Sequence, residues 1–367
     1  MAAAKILVVS GDGIGPEIMA EALKVADWFA AHRGVKLERE EALVGGVAIE
    51  AIGRPIAEET IARARQADAV LFACAGGPEW DFLEPGKRAG DGLLRLRKEL
   101  NLFANLRPVK VFDALVGASA LKPEAARGVD LVIIRELVGG IYFGEPRGIE
   151  AIGNEDQRGF NTETYSSPEV RRVGEVAFRL ARTRGGHVHS VDKANVLEAS
   201  QVWRNAMTAY HAAEHADVTL HHMLVDNCAL QIVRRPSQFD VMVMGNMFGD
   251  ILSDCAAALT GSIGMLPSAS IGAPRADGRY HGLYEPIHGT APDIAGQGIA
   301  NPAAMILSLA LLFDYSLGLS EEAGMITAAI ERVLADGLRT TDLAGPGETP
   351  VSTSAFGDAV VAALGRA

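Results

Sequence analysis

The chain has 367 residues, of which 49% are apolar, and its formal net charge at pH 7 is −12. This length is typical of two domains, or of one large domain with insertions. The negative charge argues against non-specific binding to nucleic acid or to an anionic membrane, and we expect neither as a partner.

Three further features bear on the compartment. The longest apolar run, residues 303–313, is too short to span a bilayer. The first residues lead straight into an apolar segment and lack the layout of a signal peptide. Cys74, Cys228 and Cys255 are far apart and fit no zinc spacing, which favours a reducing compartment. We therefore expect a cytoplasmic protein.

The chain opens with a buried strand pattern at 5–9, a turn with the sequence G-D-G-I-G-P-E at 11–17, and an amphipathic helix to about His32. The turn resembles a phosphate-binding turn. Its glycines are spaced G-x-G-x-G rather than G-x-G-x-x-G, and Pro16 begins the helix. A tight strand-to-helix turn explains the same residues equally well.

The next segments bring arginines next to predicted strands. A strand at 69–73 precedes a polar, glycine-rich loop at 78–92, a short helix at 93–100 and an extended segment at 102–112. Arg97 and Arg107 flank this connection, and guanidinium groups present paired donors that suit carboxylates. Surface arginines are the commoner alternative. A strand at 131–134 ends at Arg135, and ligands of open α/β sheets bind at that end.

Residues 146–167 are polar, and we predict an irregular excursion that pairs with another subunit. A helix at 170–184 and a strand ending at Lys193 follow, and then a long helix to about residue 216. Asp226 lies near the start of the next helix, where a capping role is the default explanation for an aspartate.

The centre of the chain is an apolar run at 239–244 followed by a helical pattern that carries Asp250 and Asp254. A spacing of four places both carboxylates on one helical face. Oxygen ligands favour a hard ion such as Mg²⁺ or Mn²⁺. A solvated acidic face explains the spacing as well. Beyond it, residues 284–296 are rich in Gly and Pro and are typical of a ligand-wrapping loop. Strand and helix patterns alternate, which predicts an α/β fold with a parallel or mixed sheet.

Seven segments together resemble the metal-dependent β-decarboxylating dehydrogenases, the isocitrate/isopropylmalate dehydrogenase family, over nearly the whole chain. The segments are G-D-G-I-G-P-E at 11–17, G-L-L-R-L-R at 92–97, residues 102–108, R-E-L-V-G-G-I-Y-F-G at 135–144, D-K-A-N-V at 192–196, G-N-M-F-G-D-I-L-S-D at 245–254 and residues 288–301. The resemblance implies a two-domain fold with a central mixed sheet flanked by helices, not a standard Rossmann fold. It implies a discontinuous cofactor-side domain of residues 1–102 and 257–367. Residues 103–256 would form an inserted domain for substrate, metal and dimerisation, with an arm at about 146–167.

The resemblance also implies roles for individual residues. Lys193 and Tyr142 would be catalytic, as the base and the acid. Arg97, Arg107, Arg135, Asp226 and Leu93 would bind the substrate, and Asp226, Asp250 and Asp254 would bind Mg²⁺ or Mn²⁺. The cofactor would contact His288, Gly289, Thr290, Ala291, Pro292, Asp293, Ile294 and Asn301. Lys193 and Asp226 would act across the interface of a homodimer with shared active sites.

The activity implied is NAD-dependent oxidative decarboxylation of (2R,3S)-3-isopropylmalate to 4-methyl-2-oxopentanoate and CO₂, a step of leucine biosynthesis. Asp293 and Ile294 stand where relatives that use the phosphorylated cofactor carry Lys and Tyr, and a carboxylate repels a 2′-phosphate, so we predict NAD. Leu93 favours an isopropyl group over a third carboxylate.

Three alternatives stay open at this point. The first is a sibling enzyme that acts on isocitrate, homoisocitrate, D-malate or tartrate. The second is a non-catalytic regulatory subunit of the same fold, which is disfavoured because the lysine, tyrosine and aspartates are all present. The third is a metal-binding α/β protein without turnover. One departure from the family is Asp91, where many relatives have a glutamate slightly earlier, and Asp91 is the candidate to replace it.

Overall fold

A computed structural model of the chain describes residues 3–366, and they form two compact units. The first unit contains residues 3–102, 111–128 and 257–366. The second contains residues 103–110 and 129–256. The first unit therefore includes 111–128, which the sequence-based division grouped with the inserted segment.

The first unit is built on five strands in the order β2-β1-β3-β12-β11. The strands are β1 (Ala4–Gly11), β2 (Leu37–Glu41), β3 (Ala69–Cys74), β11 (Pro267–Pro274) and β12 (Tyr280–Pro286). β11 is antiparallel to β12, and the other neighbours are parallel. All six residues of β3 are buried, as expected for a central strand covered on both faces.

Helices flank this sheet. They are α1 (Gly15–Arg33), α2 (Gly46–Ile52), α3 (Glu58–Gln66), α4 (Ala89–Glu99), α5 (Pro123–Ala126), α10 (Ala303–Tyr315), α11 (Ser320–Ala335) and α12 (Thr353–Leu364). Short 3₁₀ turns occupy Asp113–Ala118 and Ile263–Met265. Val9, Phe72 and Leu283 from three strands pack with Ile61 of α3 and Leu96 of α4 in one apolar cluster. Burial of such side chains supplies the main driving force for this unit.

The main sheet of the second unit has five strands in the order β4-β5-β10-β8-β9. They are β4 (Ala104–Lys110), β5 (Asp130–Glu136), β8 (His187–Asp192), β9 (Thr219–Leu224) and β10 (Val241–Met244). Within this sheet, only the β4–β5 pair is antiparallel. The helices are α6 (Ser167–Arg182), α7 (Glu198–Glu214), α8 (Val225–Arg234) and α9 (Asn246–Ala257), with 3₁₀ turns at Gly140–Tyr142 and Pro236–Gln238. The mixed sheets with flanking helices confirm the predicted α/β class.

The segment 146–167 differs from the prediction, because it is not irregular. Its centre is an antiparallel hairpin of β6 (Gly148–Gly153) and β7 (Asp156–Phe160). Asn154 and Glu155 join the strands with φ of 50° and 65°. Two successive residues with positive φ match the twist that a two-residue hairpin needs. Every residue of β6 is exposed, so no apolar alternation signalled the strand.

Besides the hairpin, four strands were not recognised in the sequence. β2 and β9 contain no buried residue and lie at the edges of their sheets. β11 and β12 bring further strands, and residues 284–286 are the end of β12 rather than part of the predicted ligand-wrapping loop. None of the helices within residues 3–366 is long and apolar enough to cross a bilayer.

Candidate active site

Two arginines and two aspartates lie together in the second unit. Arg107 Nη1 is 3.5 Å from Asp250 Oδ1 and 3.9 Å from Asp254 Oδ1. Arg135 Nη1 forms an ion pair with Asp250 Oδ1. The side chains of Arg107 and Arg135 are only 7% and 6% exposed. Buried guanidinium groups need such partners, because an unpaired buried charge is very costly.

Sheet register explains why the two arginines meet. Asn105 of β4 pairs with Arg135 of β5, and Arg107 pairs with Ile133. Cross-strand partners share a face, and so do residues two apart on one strand. Arg107 and Arg135 therefore extend from the same face of adjacent strands. Arg107 Nε also donates to Asn105 Oδ1 at 2.6 Å, which orients the guanidinium.

Tyr142 completes this group. Its 3₁₀ turn follows β5 after a three-residue connection, and its hydroxyl donates to Asp250 Oδ2 at 2.9 Å. The Arg135 guanidinium carbon lies 5.5 Å from the centroid of the Tyr142 ring. Partial burial, reinforced by the hydrogen bond to Asp250, raises the pKa of the Tyr142 hydroxyl above its usual value. Tyr142 is thus protonated at neutral pH and available as a proton donor.

The carboxylates fit a divalent cation. Partial burial, together with the charge of Asp250, raises the pKa of Asp254, although Arg107 opposes the shift. The side chains of Asp254 and Asp250 are 61% and 34% exposed, so a solvent ion can reach both. A cation there would stabilise two negative charges that now repel each other, and the donors are all oxygen, as Mg²⁺ and Mn²⁺ prefer.

Lys193 and Asp226 form a separate pair in the same unit. Lys193 follows β8 and Asp226 follows β9, and these strands are parallel with Asp192 opposite Leu224. Their carboxyl ends therefore bring the two side chains together, and Lys193 Nζ lies 2.5 Å from Asp226 Oδ1. This hydrogen bond lowers the pKa of Asp226. Leu224, not Asp226, is the N-cap residue of α8.

Within residues 3–366, no three His, Cys, Asp or Glu side chains are arranged to hold a metal ion. Asp226 of the chain itself therefore does not complete a set with Asp250 and Asp254. The predicted metal ligands fall into two places in one chain, the pair on α9 and the single aspartate beside Lys193.

Arg97 belongs to the first unit, where its Nη2 lies 2.7 Å from Glu285 Oε1. Their side chains are 12% and 6% exposed. Arg97 Nε is buried and has no hydrogen-bond partner, which leaves a donor free for an anion. Leu93, one turn before Arg97, packs partly against the apolar cluster of this unit. Asp91 caps α4 by accepting from Gly86 N and Arg88 N at 2.8 and 2.9 Å, so its carboxylate is already engaged.

The predicted cofactor segment borders a cavity of about 470 Å³ in the first unit. The lining is mostly apolar and includes Ile14, Ile263, His288, Gly289, Ala291, Ile294 and Asn301. His288 Nδ1 donates to Gly289 O at 2.9 Å, and its Nε2 is buried without a partner. Burial lowers the pKa of His288, so Nε2 is unprotonated at neutral pH and keeps a free lone pair. An apolar cavity with a few polar groups suits a nucleotide base.

The other cofactor candidates have distinct surroundings. Thr290 is buried, and its carbonyl accepts from Ile14 N at 2.9 Å. A Cβ on Gly13 would lie 2.1 Å from that carbonyl oxygen, so the first glycine turn serves close packing against Thr290. Pro292 and Asp293 are exposed. Asn301 is buried. Its Oδ1 accepts from the N of Ala303, the first residue of α10, at 2.9 Å, and its Nδ2 donates to Asp342 at 3.0 Å.

Comparison with known proteins identifies the family. The family model for isocitrate/isopropylmalate dehydrogenase matches residues 5–360. The chain belongs to the isocitrate/isopropylmalate dehydrogenase family. A protein of Gluconobacter oxydans named 3-isopropylmalate dehydrogenase is 57% identical, with 97% of each chain covered. One of the same name from Cereibacter sphaeroides is 55% identical over 99% of each chain.

Solved structures agree with this assignment. Isocitrate dehydrogenase from Methylococcus capsulatus superposes with a TM-score of 0.86 at 32% identity, covering 98% of this chain and 99% of that one. A β-decarboxylating dehydrogenase from Thermococcus kodakarensis gives a TM-score of 0.79 at 33% identity, covering 99% and 96%. The predicted resemblance to the family is confirmed, and the chain is a dehydrogenase of this family.

Several residues at the site were not singled out from the sequence. Ser253 accepts from Arg107 Nη1 at 2.5 Å, and Asn246 Oδ1 accepts from Arg135 Nε at 2.8 Å. Both lie on α9 at helical spacing from Asp250, three residues after it and four before it, so the periodicity of the helix carried a signal. Glu285, which pairs with Arg97, lies 188 residues away in sequence and had no local signal.

Proposed function

We propose that the chain catalyses the NAD-dependent oxidative decarboxylation of (2R,3S)-3-isopropylmalate to 4-methyl-2-oxopentanoate and CO₂, a step of leucine biosynthesis. The observation that carries the proposal is the grouping of Arg107, Arg135, Tyr142, Asp250 and Asp254 in one family member. It combines donors for a carboxylate, oxygen ligands for a cation and a protonated tyrosine.

The arginines act in substrate binding. Arg107 and Arg135 are buried and fixed by their neighbours, so they lose little conformational freedom when they bind a carboxylate. The unpartnered Nε of Arg97 makes that guanidinium a further carboxylate donor. Leu93 provides apolar surface for an isopropyl group and no partner for an additional carboxylate.

Asp250 and Asp254, with Asp226, would hold Mg²⁺ or Mn²⁺, and the segment His288–Asn301 would hold NAD. When bound, the cation stabilises negative charge on the substrate C2 oxygen and NAD accepts hydride from C2. Lys193 takes the proton of the C2 hydroxyl, directly or through water. Tyr142 keeps its proton at neutral pH and delivers it to C3 after CO₂ has left. We assign cofactor binding to the first unit and metal binding to the second.

A second copy of the chain is part of the proposal. Within residues 3–366 of one chain, Asp226 does not form a three-ligand group with Asp250 and Asp254, and in our proposal a partner chain supplies Asp226 together with Lys193. The hairpin exposes Ile149 and Ile152, at 74% and 59%, and α8 exposes Leu230 at 57%. Exposed apolar side chains grouped on two elements of one unit favour a subunit interface.

Activity on isocitrate or another sibling substrate is not favoured. Eight relatives that are 51–57% identical bear the name 3-isopropylmalate dehydrogenase. The structure named isocitrate dehydrogenase is 32% identical.

A substrate panel tests the proposal. NADH formation is followed with 3-isopropylmalate, isocitrate, homoisocitrate, D-malate and tartrate, with Mg²⁺ and with chelator. We expect the highest kcat/KM for 3-isopropylmalate, complete loss with chelator and recovery with added Mg²⁺. A higher kcat/KM for isocitrate would refute the proposed substrate.

A further inference from the structure

Asn246 is the first residue of α9, is 1% exposed, and makes four hydrogen bonds. Its Oδ1 accepts from Arg135 Nε at 2.8 Å. Its Nδ2 donates to Leu137 O and to Gly139 O, both at 3.1 Å. Its backbone N donates to Tyr165 Oη at 2.7 Å. The side-chain amide has one acceptor and two donors in use, so it is fully satisfied.

These partners connect three parts of the candidate site. Arg135 forms the ion pair with Asp250. Leu137 and Gly139 lie in the short connection from β5 to the 3₁₀ turn that carries Tyr142. Asp250 lies one turn further along α9. The Asn246 amide therefore fixes the relative positions of Arg135, the connection that leads to Tyr142 and the start of α9.

The same connection is held from its other side. The buried carboxylate of Glu136 accepts from Gly139 N at 2.8 Å. Gly140 has a φ of +71°, and a Cβ there would lie 2.4 Å from Tyr165 Oη. The backbone at 139–140 thus sits between Glu136, Tyr165 and Asn246, and loss of the amide donors would leave two carbonyls without their partner.

We propose that Asn246 is a positioning residue, whose amide orients the Arg135 guanidinium toward a substrate carboxylate and fixes the turn that presents Tyr142. The proposal rests on the proposed function. The three side-chain contacts at position 246 favour asparagine over other residue types. Aspartate offers Arg135 an acceptor but opposes the two carbonyls, serine is too short for all three contacts, and alanine makes none.

The main variant is Asn246→Asp, which separates the effect of the amide oxygen from the effect of the amide nitrogen. It keeps an acceptor for Arg135 Nε and replaces the two donors. We expect KM for 3-isopropylmalate to stay within about threefold and kcat to fall about 10- to 100-fold, because the Tyr142 turn is displaced. Asn246→Ala removes both the acceptor and the donors, and we expect KM to rise about tenfold in addition to the fall in kcat. Asn205→Asp, at an exposed position of α7, is the matched control for the charge change and should keep both constants.

A double-mutant cycle with Tyr142→Phe separates positioning from general destabilisation. If Asn246 acts through Tyr142, Asn246→Asp should lower kcat by less than about twofold in the Tyr142→Phe background. A loss of the same size in both backgrounds would overturn the proposal.

Hydrogen exchange supplies a readout that does not depend on turnover. We expect the amides of 137–144 to exchange faster in Asn246→Asp than in wild type or Asn205→Asp, with the other strands of the unit unchanged. Faster exchange is expected even if the wild type shows no activity on 3-isopropylmalate. A failure of the proposed function can therefore be distinguished from a failure of the role proposed for Asn246. If Asn246→Asp does not fold, Asn246→Ser replaces it, with the same faster exchange and an intermediate kcat expected. Wild-type kcat, KM and exchange in the folded variant would refute the role.

Discussion

Tyr142 and Asp250 are joined by a hydrogen bond of 2.9 Å from the tyrosine hydroxyl to the Oδ2 of the aspartate. The other carboxylate oxygen of Asp250 faces Arg135 and Arg107. Asp250 thus contacts three side chains, and it links the proton donor Tyr142 to the two arginines proposed to bind anions. Replacing Tyr142 or one of the two arginines would therefore affect the other side chains around Asp250, because hydrogen-bonded groups of this kind act as a network.

The metal assignment predicts a binding effect that can be measured without turnover. We expect Mg²⁺ at about 100 times its Kd to raise the free energy of unfolding by about 2.7 kcal/mol. Asp254→Asn should abolish the Mg²⁺-dependent rise in Tm and lower turnover at least about 100-fold. Asp217→Asn removes another aspartate that pairs with an arginine of the same unit, and should leave the Mg²⁺ effect intact. An unchanged Tm rise in Asp254→Asn would contradict the assignment.

A shared active site predicts complementation between two inactive variants. Lys193→Met and Asp254→Asn should each be inactive alone. When the two are refolded together, mixed dimers contain one site with both residues intact, and about a quarter of wild-type activity should return. If Lys193 and Asp254 of the same chain acted together, every site in the mixture would lack one of them. No recovery with mixed dimers present would therefore place the site within one chain.

In our proposal, cofactor choice depends on the exposed Asp293 and the half-buried Ile294. The double variant with Asp293→Lys and Ile294→Tyr should shift the ratio of kcat/KM for NAD over NADP by about 10- to 100-fold toward NADP, because a cation replaces a carboxylate near the 2′ position. Asp277→Lys makes a similar charge change at another exposed site of the first unit and should leave the ratio unchanged. The measurement is a titration with both cofactors at saturating substrate.

Leu93 predicts the preference for the alkyl group of the substrate. Leu93→Ser should lower kcat/KM for 3-isopropylmalate relative to D-malate by about 10- to 200-fold, because buried apolar contact is lost. Leu94, an exposed neighbour on α4, provides the control variant Leu94→Ser. Equal losses for both substrates in Leu93→Ser would show a general defect instead of a contact with the alkyl group.

Because His189 is buried, we expect the stability of the protein to depend on pH. Burial, with His221 and His187 nearby, lowers the pKa of His189 to about 4 from its usual 6.5. Between those values the unfolded chain binds the proton and the folded chain does not, so this residue makes stability fall as pH drops from 6.5 to 4.

Replacing His189 by Gln should remove up to about 1.4 kcal/mol per pH unit from the slope of unfolding free energy against pH in that range. Phe239→Leu is the control, because Phe239 packs edge-on against His189 at 4.9 Å and does not titrate. It should lower stability without changing the slope by that amount. Denaturant unfolding at several pH values measures both, and an unaltered slope in His189→Gln would contradict the prediction.

The local elements of the fold could be predicted from the sequence wherever the pattern was strong. The apolar run at 69–73 and the helical pattern after Pro16 correspond to β3 and α1. The exposed hairpin and the polar edge strand β9 were missed, because strands that bury little leave no alternating pattern.

The sequence by itself determined that Asp250 and Asp254 share a helical face and that Arg135 ends a buried strand, because these relations depend only on the repeat of one element. Only the tertiary structure decided that Lys193 pairs with Asp226, that Glu285 holds Arg97 and that Asn246 joins Arg135 to the tyrosine turn. Those contacts join residues 33, 188 and 111 positions apart. Strand register and packing set them, and no local spacing encodes either.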